Sequence, residues 1–295
     1  MNQTIKAGLT IIPAKHGLGA DVSGFDLKSV NEPTYRALRQ AWLDHLVLRI
    51  RGQSFDDDDH VRFCQMFGEI ELPARVKNTG KGLHAKYLGI SLISNIKENG
   101  VPIGSLGDGE CVWHSDMSFI ERPPSGSFLH AYEVPPSGGN TSFLNMYRVL
   151  ETLPAELRRA IDGQTIKHES VHGSDLRVRP GMTEPASGDP RDYPGVVHPI
   201  IRTHPETKRH ALYLGRRTNA WVVGLPLDES EDLLDRLWAH AEASPFVWKH
   251  VWQVGDLIIW DNRCTMHQRD AFDPQTRRRM HRTVVNGDKP VFIPC

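Results

Sequence analysis

Cysteine is scarce in this chain, which has four cysteines in 295 residues and none at a paired spacing. They are Cys64, Cys111, Cys264 and Cys295. Secreted domains that depend on disulfides concentrate many more cysteines in much shorter chains. We therefore expect free thiols and a reducing compartment. The N-terminal residues also lack a charged-then-apolar signal pattern, so the sequence favours the cytoplasm.

Long hydrophobic runs and an excess of charge of either sign are also missing. The longest apolar runs are short, such as residues 257–260, far below the length that spans a membrane. Lys plus Arg is 35 against Asp plus Glu at 36, so no basic surface favours nucleic acid. With 39% hydrophobic and 24% charged residues, the composition is ordinary for a globular protein, and we expect neither a membrane nor nucleic acid as partner.

The pattern of short apolar runs between glycine and proline turns predicts a mainly β protein with flanking helices, an α+β chain. Many short strands with such turns are typical of a jelly-roll or barrel. The clearest predicted strands are residues 46–50, 127–133, 140–144, 198–203 and 257–260. Predicted helices cover residues 31–41, 154–161 and 228–241, and another begins after a capping Ser54.

Two segments lack clear periodicity and are expected to be loops or lids. They are residues 77–109, rich in Gly, Lys and Asn, and residues 173–193, which hold three prolines and three glycines. Long loops inside a compact domain are usually functional lids or disordered segments. At 295 residues the chain is near the upper limit for one core. We therefore expect a single domain over residues 1–295 with these insertions.

The chemistry is carried by the motif His114-Ser115-Asp116 together with His267 far downstream. Residues at i and i+2 project from the same face of a β-strand. A second imidazole from a distant strand would complete two nitrogens and one oxygen on one side of a metal, the facial set of non-haem Fe(II) oxygenases. Arg278 could then hold a dicarboxylate in the open positions. His-x-Asp alone also arises by chance in a chain with 15 histidines.

Five pieces of sequence in this order resemble a known family. They are residues 19–24, 113–116, 138–141, 260–263 with His267, and 277–282. Together they resemble the taurine dioxygenase and 2,4-dichlorophenoxyacetate dioxygenase superfamily of Fe(II)/2-oxoglutarate-dependent oxygenases over nearly the whole length. The resemblance implies a double-stranded β-helix (jelly-roll) of the clavaminate synthase-like type. It also implies one iron, 2-oxoglutarate as co-substrate, and succinate and carbon dioxide as products.

The resemblance also implies roles for individual residues. His114, Asp116 and His267 would be the iron ligands and the catalytic centre. Thr141 would hydrogen-bond the distal carboxylate of 2-oxoglutarate, and Arg278 would form an ion pair with it, since a planar guanidinium meets a carboxylate bidentately.

Arg282 matches an arginine that faces the substrate anion or the near end of 2-oxoglutarate. Alternation along a strand lets Arg278 and Arg282 point inward together while Arg277 and Arg279 face water. His281, between the two inward arginines, should then point away from the iron. An unpaired buried arginine is costly, so Arg282 favours an anionic substrate.

The resemblance is weaker around the substrate. Where a taurine dioxygenase has a His and a Tyr, this chain has Pro73 and Val76, and Glu110 replaces an expected Asn. Taurine is therefore doubtful. Arg75, Lys77 and Lys81 lie in the same early loop, and basic residues there are similar to those of the aryloxyalkanoate branch, whose substrates are carboxylates; a solvated lysine-rich loop is the alternative.

Other candidate residues complete the expected pocket. Met117 is expected in the apolar wall, with Phe119 and Trp221 as further candidates. Glu110 could recognise a cationic group or pair with an arginine. His198 and His204, each followed by proline, are interpreted as residues at strand ends rather than as further metal ligands.

Three other functions stay open. An alkyl sulfonate (taurine-type) or sulfate-ester dioxygenase would differ in the substrate that triggers succinate formation. A non-catalytic metal-binding barrel would have no need for Arg278 and Thr141. A zinc hydrolase on the same ligands would leave the dicarboxylate arginine unexplained. The resemblance further suggests a homo-oligomer, a dimer or tetramer, using dioxygen and a small anionic substrate.

Overall fold

The computed structural model of the protein describes residues 4–6, 8–14 and 17–294, so Cys295 lies outside the described residues, as do the first three residues of the N-terminal stretch weighed for a signal. The helices are α1 (Glu32–His45), α2 (Asp57–Gln65), α3 (Ala74–Thr79), α4 (Met146–Glu151), α5 (Ala155–Ala160) and α6 (Leu227–Glu242). The strands are β1 (Thr4–Lys6), β2 (Leu9–Pro13), β3 (Ala20–Ser23), β4 (Val47–Ile50), β5 (Ser91–Ser94), β6 (Lys97–Glu98), β7 (Val101–Pro102), β8 (Ser105–Leu106), β9 (Cys111–His114), β10 (Gly126–Glu133), β11 (Thr141–Asn145), β12 (Thr165–Glu169), β13 (Gly195–Pro199), β14 (Ile201–Thr203), β15 (His210–Leu212), β16 (Trp221–Val222), β17 (Val247–His250), β18 (Leu257–Asp261), β19 (Thr265–Arg269) and β20 (Arg279–Val285).

The mainly β character with few helices agrees with the prediction. Nine strands form the large sheet in the order β1-β2-β3-β4-β18-β10-β20-β5-β8, and four form a second sheet in the order β17-β11-β19-β9. Most neighbouring strands are antiparallel, but β3 pairs with β4, and β5 with β8, in parallel. Strands distant in sequence are thus neighbours, which brings β10, β18 and β20 together in the centre of the large sheet.

The apolar run in β18 shows how the two cores are built. Ile258 and Trp260 belong to a core shared with the second sheet through Phe143 and Met266. Ile259, on the opposite face, packs in a second core with residues of α1 and α2. A strand buried on both faces reads as a continuous apolar run rather than an alternating one, because neither face meets water.

Two of the helices show how a polar side chain caps a helix N-terminus. Asn31 caps α1 by accepting a hydrogen bond from the Thr34 backbone N–H at 2.9 Å. For α2 the predicted cap, Ser54, is wrong, because Asp56 accepts from the Asp59 N–H at 2.9 Å and the Asp59 carboxylate reaches back to the Asp56 N–H. These two reciprocal bonds form a capping box, so Asp56 rather than Ser54 caps the N-terminus of α2.

The segments predicted as loops contain regular structure as well. α3 begins before residue 77, and β5 to β8 lie within residues 77–109. The segment 173–193 has no named strand or helix, but an isolated bridge joins His172 to Val178. Among the described residues, no helix combines the length and apolar character needed to cross a bilayer.

Candidate active site

Two imidazoles meet because β9 and β19 pair antiparallel in the second sheet. The register sets His267 directly opposite His114. Their ring centroids lie 4.1 Å apart, and both residues are buried. The Nε2 atom of His114 is 3.9 Å from Oδ1 of Asp116. The three ligand atoms of these residues lie within 4.8 Å of one another.

Asp116 reaches this position by a different route from the predicted one. The sequence predicted that His114 and Asp116 share one face of a strand, but β9 ends at His114. Asp116 lies in the following turn, where Met117 has φ of 48°, a left-handed value that costs energy for a non-glycine residue.

Asn262, far along the chain, holds the turn in place. Its Oδ1 accepts from the Asp116 N–H at 2.7 Å, and its Nδ2 donates to the carbonyls of Asp116 at 2.9 Å and Pro124 at 3.0 Å. These buried bonds replace strand pairing as the support for the turn.

The hydrogen bonds of His114 leave it in the form that a metal requires. Its Nδ1 lies 2.7 Å from the carbonyl oxygen of Val112, which can only accept, so Nδ1 carries the proton. Its Nε2 therefore offers a lone pair on the side of Asp116. Metal-bound histidines usually donate their other ring N–H in this way. The donor set thus fits a divalent metal such as Fe(II).

A second group of possible metal ligands, Asp57, His84 and His281, fails the same test. Nδ1 of His84 accepts from the backbone N–H of Tyr87 at 2.9 Å, so in the neutral ring the proton is on Nε2. That Nε2 donates to Oδ2 of Asp57 at 2.9 Å. Nδ1 of His281 lies 2.7 Å from Oδ1 of the same carboxylate. The group is a hydrogen-bonded clamp, and His281 does point away from the candidate centre.

The third group, His204, Asp261 and Cys264, behaves in the same way. Nδ1 of His204 accepts from the Thr207 N–H at 3.1 Å, and its Nε2 donates to Asp261 at 3.0 Å. Arg263 also donates to Asp261 at 2.7 Å. The group is therefore structural, in line with the interpretation of His204 from the sequence.

Electrostatics keep the three candidate ligands in their binding forms. Burial alone would raise the pKa of Asp116, but the charge of Arg282 and the nearby histidines hold that pKa well below its usual range. Burial lowers the pKa of His267 to about 4, and burial followed by the neighbouring His267 lowers the pKa of His114. A carboxylate and two neutral imidazoles at pH 7 are ready to bind a cation.

Beside the candidate ligands lies a small cavity that contains two buried arginines. Arg278 and Arg269 are 1% and 5% exposed, and both line the cavity with His267 and Thr141. Two side-chain nitrogens of each have no hydrogen-bond partner among the described residues. Burial, and after it the charge of Arg269, lower the pKa of Arg278 to about 9. A dicarboxylate would supply the missing anion.

Thr141 is held at this cavity by a tryptophan and by strand register. The indole N–H of Trp252 donates to Thr141 Oγ1 at 3.0 Å, which leaves the Thr141 hydroxyl hydrogen available to a ligand. Thr141 also lies directly opposite Arg269 across the β11–β19 pair. Gly139, two residues before Thr141, has φ of 62°, and a Cβ there would lie 3.3 Å from Nε of Arg278.

The predicted alternation of the arginines around β20 is confirmed by their exposure. The Arg277 and Arg279 side chains are 61% and 40% exposed and both pair with Glu133, whereas Arg278 is buried. Arg282 points inward, but it is not free, because its Nη1 donates to Oδ1 of Asp116 at 2.7 Å. Its Nε has no partner among the described residues, and the expected contact of Arg282 with an anion stays a prediction.

A larger cavity of about 360 Å³ is lined by His114 and Asp116, and it shares His114 with the small cavity. Met117 and Phe119 line it as predicted, and Arg75 lies at its rim. The structure does not bring Lys77, Glu110 or Trp221 to it, since none is among the described lining residues. Lys77 pairs with Glu71 at 2.5 Å, and Glu110 is exposed on the chain before β9.

Sequence reasoning missed several residues around the site. Arg269 lies two residues after His267 on the same strand face, so the period of two could have identified it. Ser127, whose Oγ donates to Oδ2 of Asp116 at 2.7 Å, and Asn262 carried no comparable signal. Arg179, which lines the larger cavity, lies in the segment without periodicity.

Comparison with known proteins gives consistent matches over nearly the whole chain. The family described as "Taurine catabolism dioxygenase TauD, TfdA family" matches residues 10–284. Pentalenolactone F synthase of Streptomyces arenae is 36% identical over 92% of this chain and 93% of its own length. The alpha-ketoglutarate-dependent 2,4-dichlorophenoxyacetate dioxygenase of Burkholderia sp. (strain RASC) is 34% identical over 82% of each chain.

A solved structure is similar as well. The crystal structure of AAD-2 in complex with Mn(II) and N-oxalylglycine superposes with a TM-score of 0.76 at 29% identity. The match covers 96% of this chain and 98% of that one.

Proposed function

Since the chain belongs to the TauD/TfdA family and is an Fe(II)- and 2-oxoglutarate-dependent dioxygenase, we propose that it hydroxylates a C–H bond of a small organic anion. Carboxylates, such as aryloxyalkanoates, are the proposed substrate class. The observation that carries the proposal is the His114 tautomer beside Asp116 and His267, next to a cavity with unpaired buried arginines.

We assign the three metal ligands to His114, Asp116 and His267. When bound, Fe(II) and 2-oxoglutarate together supply the oxidation, in which dioxygen is consumed and succinate and carbon dioxide are released with the hydroxylated product. Val112 orients the His114 ring through its carbonyl, and Ser127 fixes the carboxylate of Asp116. Such supporting bonds usually change metal affinity by about 10–100-fold.

Arg278, Arg269 and Thr141 are the proposed partners of the distal carboxylate of 2-oxoglutarate. Each arginine has unpartnered N–H groups, and the Thr141 hydroxyl is oriented by Trp252. Two buried guanidinium groups without a carboxylate partner favour a dianion over a neutral ligand. Arg282 donates to Asp116 from Nη1 and keeps an unpartnered Nε beside both cavities, so we assign it a role in holding that ligand and in contacting an anion.

The larger cavity supports an anionic substrate with an apolar body. Its arginines outnumber its carboxylates: it is lined by Arg75, Arg177, Arg179, Arg216 and Arg282 against Asp116 and Asp175. Apolar side chains, among them Met117 and Ile93, line the remainder. They exclude water and position the C–H bond, which is the protein's share of such a reaction.

The jelly-roll architecture and the covering segments are part of the same proposal. The two sheets share one core, as expected for a double-stranded β-helix. Residues of both segments, 77–109 and 173–193, border the larger cavity. We propose that they cover the substrate within one catalytic domain.

The test is an anaerobic titration followed by exposure to dioxygen. Protein with Fe(II) and 2-oxoglutarate is titrated with phenoxyacetate, taurine and an alkyl sulfate ester, and the iron–2-oxoglutarate charge-transfer band is recorded. We expect a carboxylate to shift the band and to start rapid succinate formation. Faster succinate formation with taurine or the sulfate ester would move the assignment to the sulfonate or sulfate-ester class. A protein that forms no band with 2-oxoglutarate would contradict the assigned centre.

A further inference from the structure

Segment 105–109 forms part of the wall of both cavities beside the candidate ligands. Ser105 and Leu106 line the larger cavity, and Leu106 also lines the small one. These two residues form β8, which pairs with β5 in parallel. Leu106 has φ of 68°, a left-handed value that costs energy for a residue with a side chain. The segment therefore depends on contacts with other parts of the chain for its position.

Arg269, on β19, supplies charged contacts to this segment. Its Nη2 donates to the carbonyl oxygen of Leu106 at 2.8 Å and also to that of Gly109. Nearby, the backbone N–H of Phe272 donates to the carbonyl of Asp108 at 3.2 Å. Hydrogen bonds from an ionised donor are stronger than those between neutral groups. One nitrogen of Arg269 thus holds the segment at two of its carbonyls.

The other two nitrogens of the Arg269 guanidinium lack such contacts. Nε and Nη1 are buried, and neither has a hydrogen-bond partner in the described part of the chain. The side chain lines the small cavity together with Arg278 and Thr141. A guanidinium is planar and rigid, so the directions of its N–H groups are fixed relative to one another. A ligand bound at Nε or Nη1 therefore restricts the direction in which Nη2 points.

Without an anion, this arrangement of two arginines is unfavourable. The Cζ atoms of Arg269 and Arg278 lie 5.6 and 5.9 Å from the ring centroid of Phe272, so both cations contact one aromatic ring. Burial, and after it the charge of Arg269, lower the pKa of Arg278 to about 9. Buried like charges repel because little water screens them. Rotation of Arg269 away from Arg278 would relieve the repulsion and release the two carbonyls.

We propose that Arg269 is a positioning residue that couples the co-substrate site to the wall of the substrate cavity. A carboxylate in the small cavity neutralises the two arginines and holds Arg269 through Nε or Nη1, while Nη2 keeps segment 105–109 in place. This inference rests on the proposed function, since it takes 2-oxoglutarate as the anion of the small cavity. The larger cavity then has its complete wall only when the small cavity is filled.

The experiment measures backbone hydrogen exchange with and without a bound anion. Protein loaded with Mn(II) is followed by mass spectrometry, alone and with saturating N-oxalylglycine, in peptides that cover β8 and Phe272. The Phe272 N–H is bonded to the Asp108 carbonyl, so its exchange reports release of segment 105–109. The variants are R269Q, R269K and, as a matched exposed control, R277Q. Calorimetry gives the affinity of each variant for N-oxalylglycine, which sets the concentration needed for saturation.

We expect N-oxalylglycine to slow exchange of the Phe272 N–H in the wild type and in R277Q by about 10-fold or more, the factor that one charge-assisted hydrogen bond supplies. R269Q should bind N-oxalylglycine about 10–100-fold more weakly and show no slowing at saturation. R269K should separate the two effects, because an ammonium keeps the charge but cannot reach the anion and both carbonyls together. It should lose less than about 10-fold in affinity, yet its exchange should slow by less than about threefold at saturation.

Two results would overturn the coupling while leaving the proposed function intact. Equal exchange in the wild type with and without bound N-oxalylglycine would make Arg269 a static support of the segment. Full slowing in saturated R269K would show that the segment responds without the guanidinium. R269K keeps the positive charge, so it decides the question even if R269Q does not fold. A wild type that binds Mn(II) but not N-oxalylglycine would contradict the proposed function itself, and the coupling with it.

Discussion

Replacing Arg278 by methionine should stabilise the ligand-free protein and abolish its response to 2-oxoglutarate. Methionine keeps much of the length of the side chain but removes the charge. Arg278 is 1% exposed, has no carboxylate partner, and has a pKa lowered from its ordinary value to about 9. That lowering corresponds to a penalty of about 5 kcal/mol on the charged form.

Relaxation of the protein and entry of water relieve part of that penalty. We therefore expect the free energy of unfolding of ligand-free R278M to exceed that of the wild type by about 1–3 kcal/mol. This should raise Tm by about 2–10 °C in a chain of this size. The wild type should gain about 2.7 kcal/mol from 2-oxoglutarate at 100 times its Kd in the presence of Mn(II), whereas R278M should gain nothing.

The assay is thermal unfolding with and without 2-oxoglutarate and Mn(II). R277M is the matched control, because Arg277 is 61% exposed and paired with Glu133. It should change stability by less than about 0.5 kcal/mol and keep the ligand response. An R278M protein that is less stable than the wild type, yet still stabilised by 2-oxoglutarate, would refute the reasoning.

Three further outcomes follow from the geometry. H267A should abolish Mn(II) binding in an EPR titration while H84A retains it; loss in both variants, or retention in H267A, would end the ligand assignment. N262A removes three buried hydrogen bonds around the Asp116 turn, so it should lower the free energy of unfolding in urea by about 2–4 kcal/mol and weaken Mn(II) by about 10–100-fold. Burial lowers the pKa of His198 to about 4, so the unfolded state takes up the proton first and stability falls as pH drops from about 6.5 to about 4. H198Q should reduce the loss of unfolding free energy over that pH range by about 3 kcal/mol at most. An unchanged pH dependence of urea unfolding would contradict this prediction.

Several features of the site could be read from the sequence because they depend on local periodicity. The period of two through β20 and the two residues before it separates Arg278 and Arg282 from the exposed Arg277 and Arg279. The continuous apolar run of β18 predicted a buried strand. The spacing His114-Ser115-Asp116 singled out the candidate ligands.

Other features depend on contacts between residues far apart in the chain. Asn262, 146 residues from Asp116, sets the turn that replaces the predicted strand geometry. Whether an arginine is paired is decided the same way: Arg282 meets Asp116, whereas Arg179 meets only an aromatic ring and a carbonyl. Arg179 lies in a segment whose turns leave no periodic signal.

The sequence by itself therefore determined which residue types are available and which of them share a strand face, since side-chain direction follows backbone period. Only the tertiary structure decided that His267 stands opposite His114, that Arg269 joins Arg278, and which charges lack a partner. Strand register and ion pairing are set by the packing of the whole core, and no local stretch of sequence encodes them.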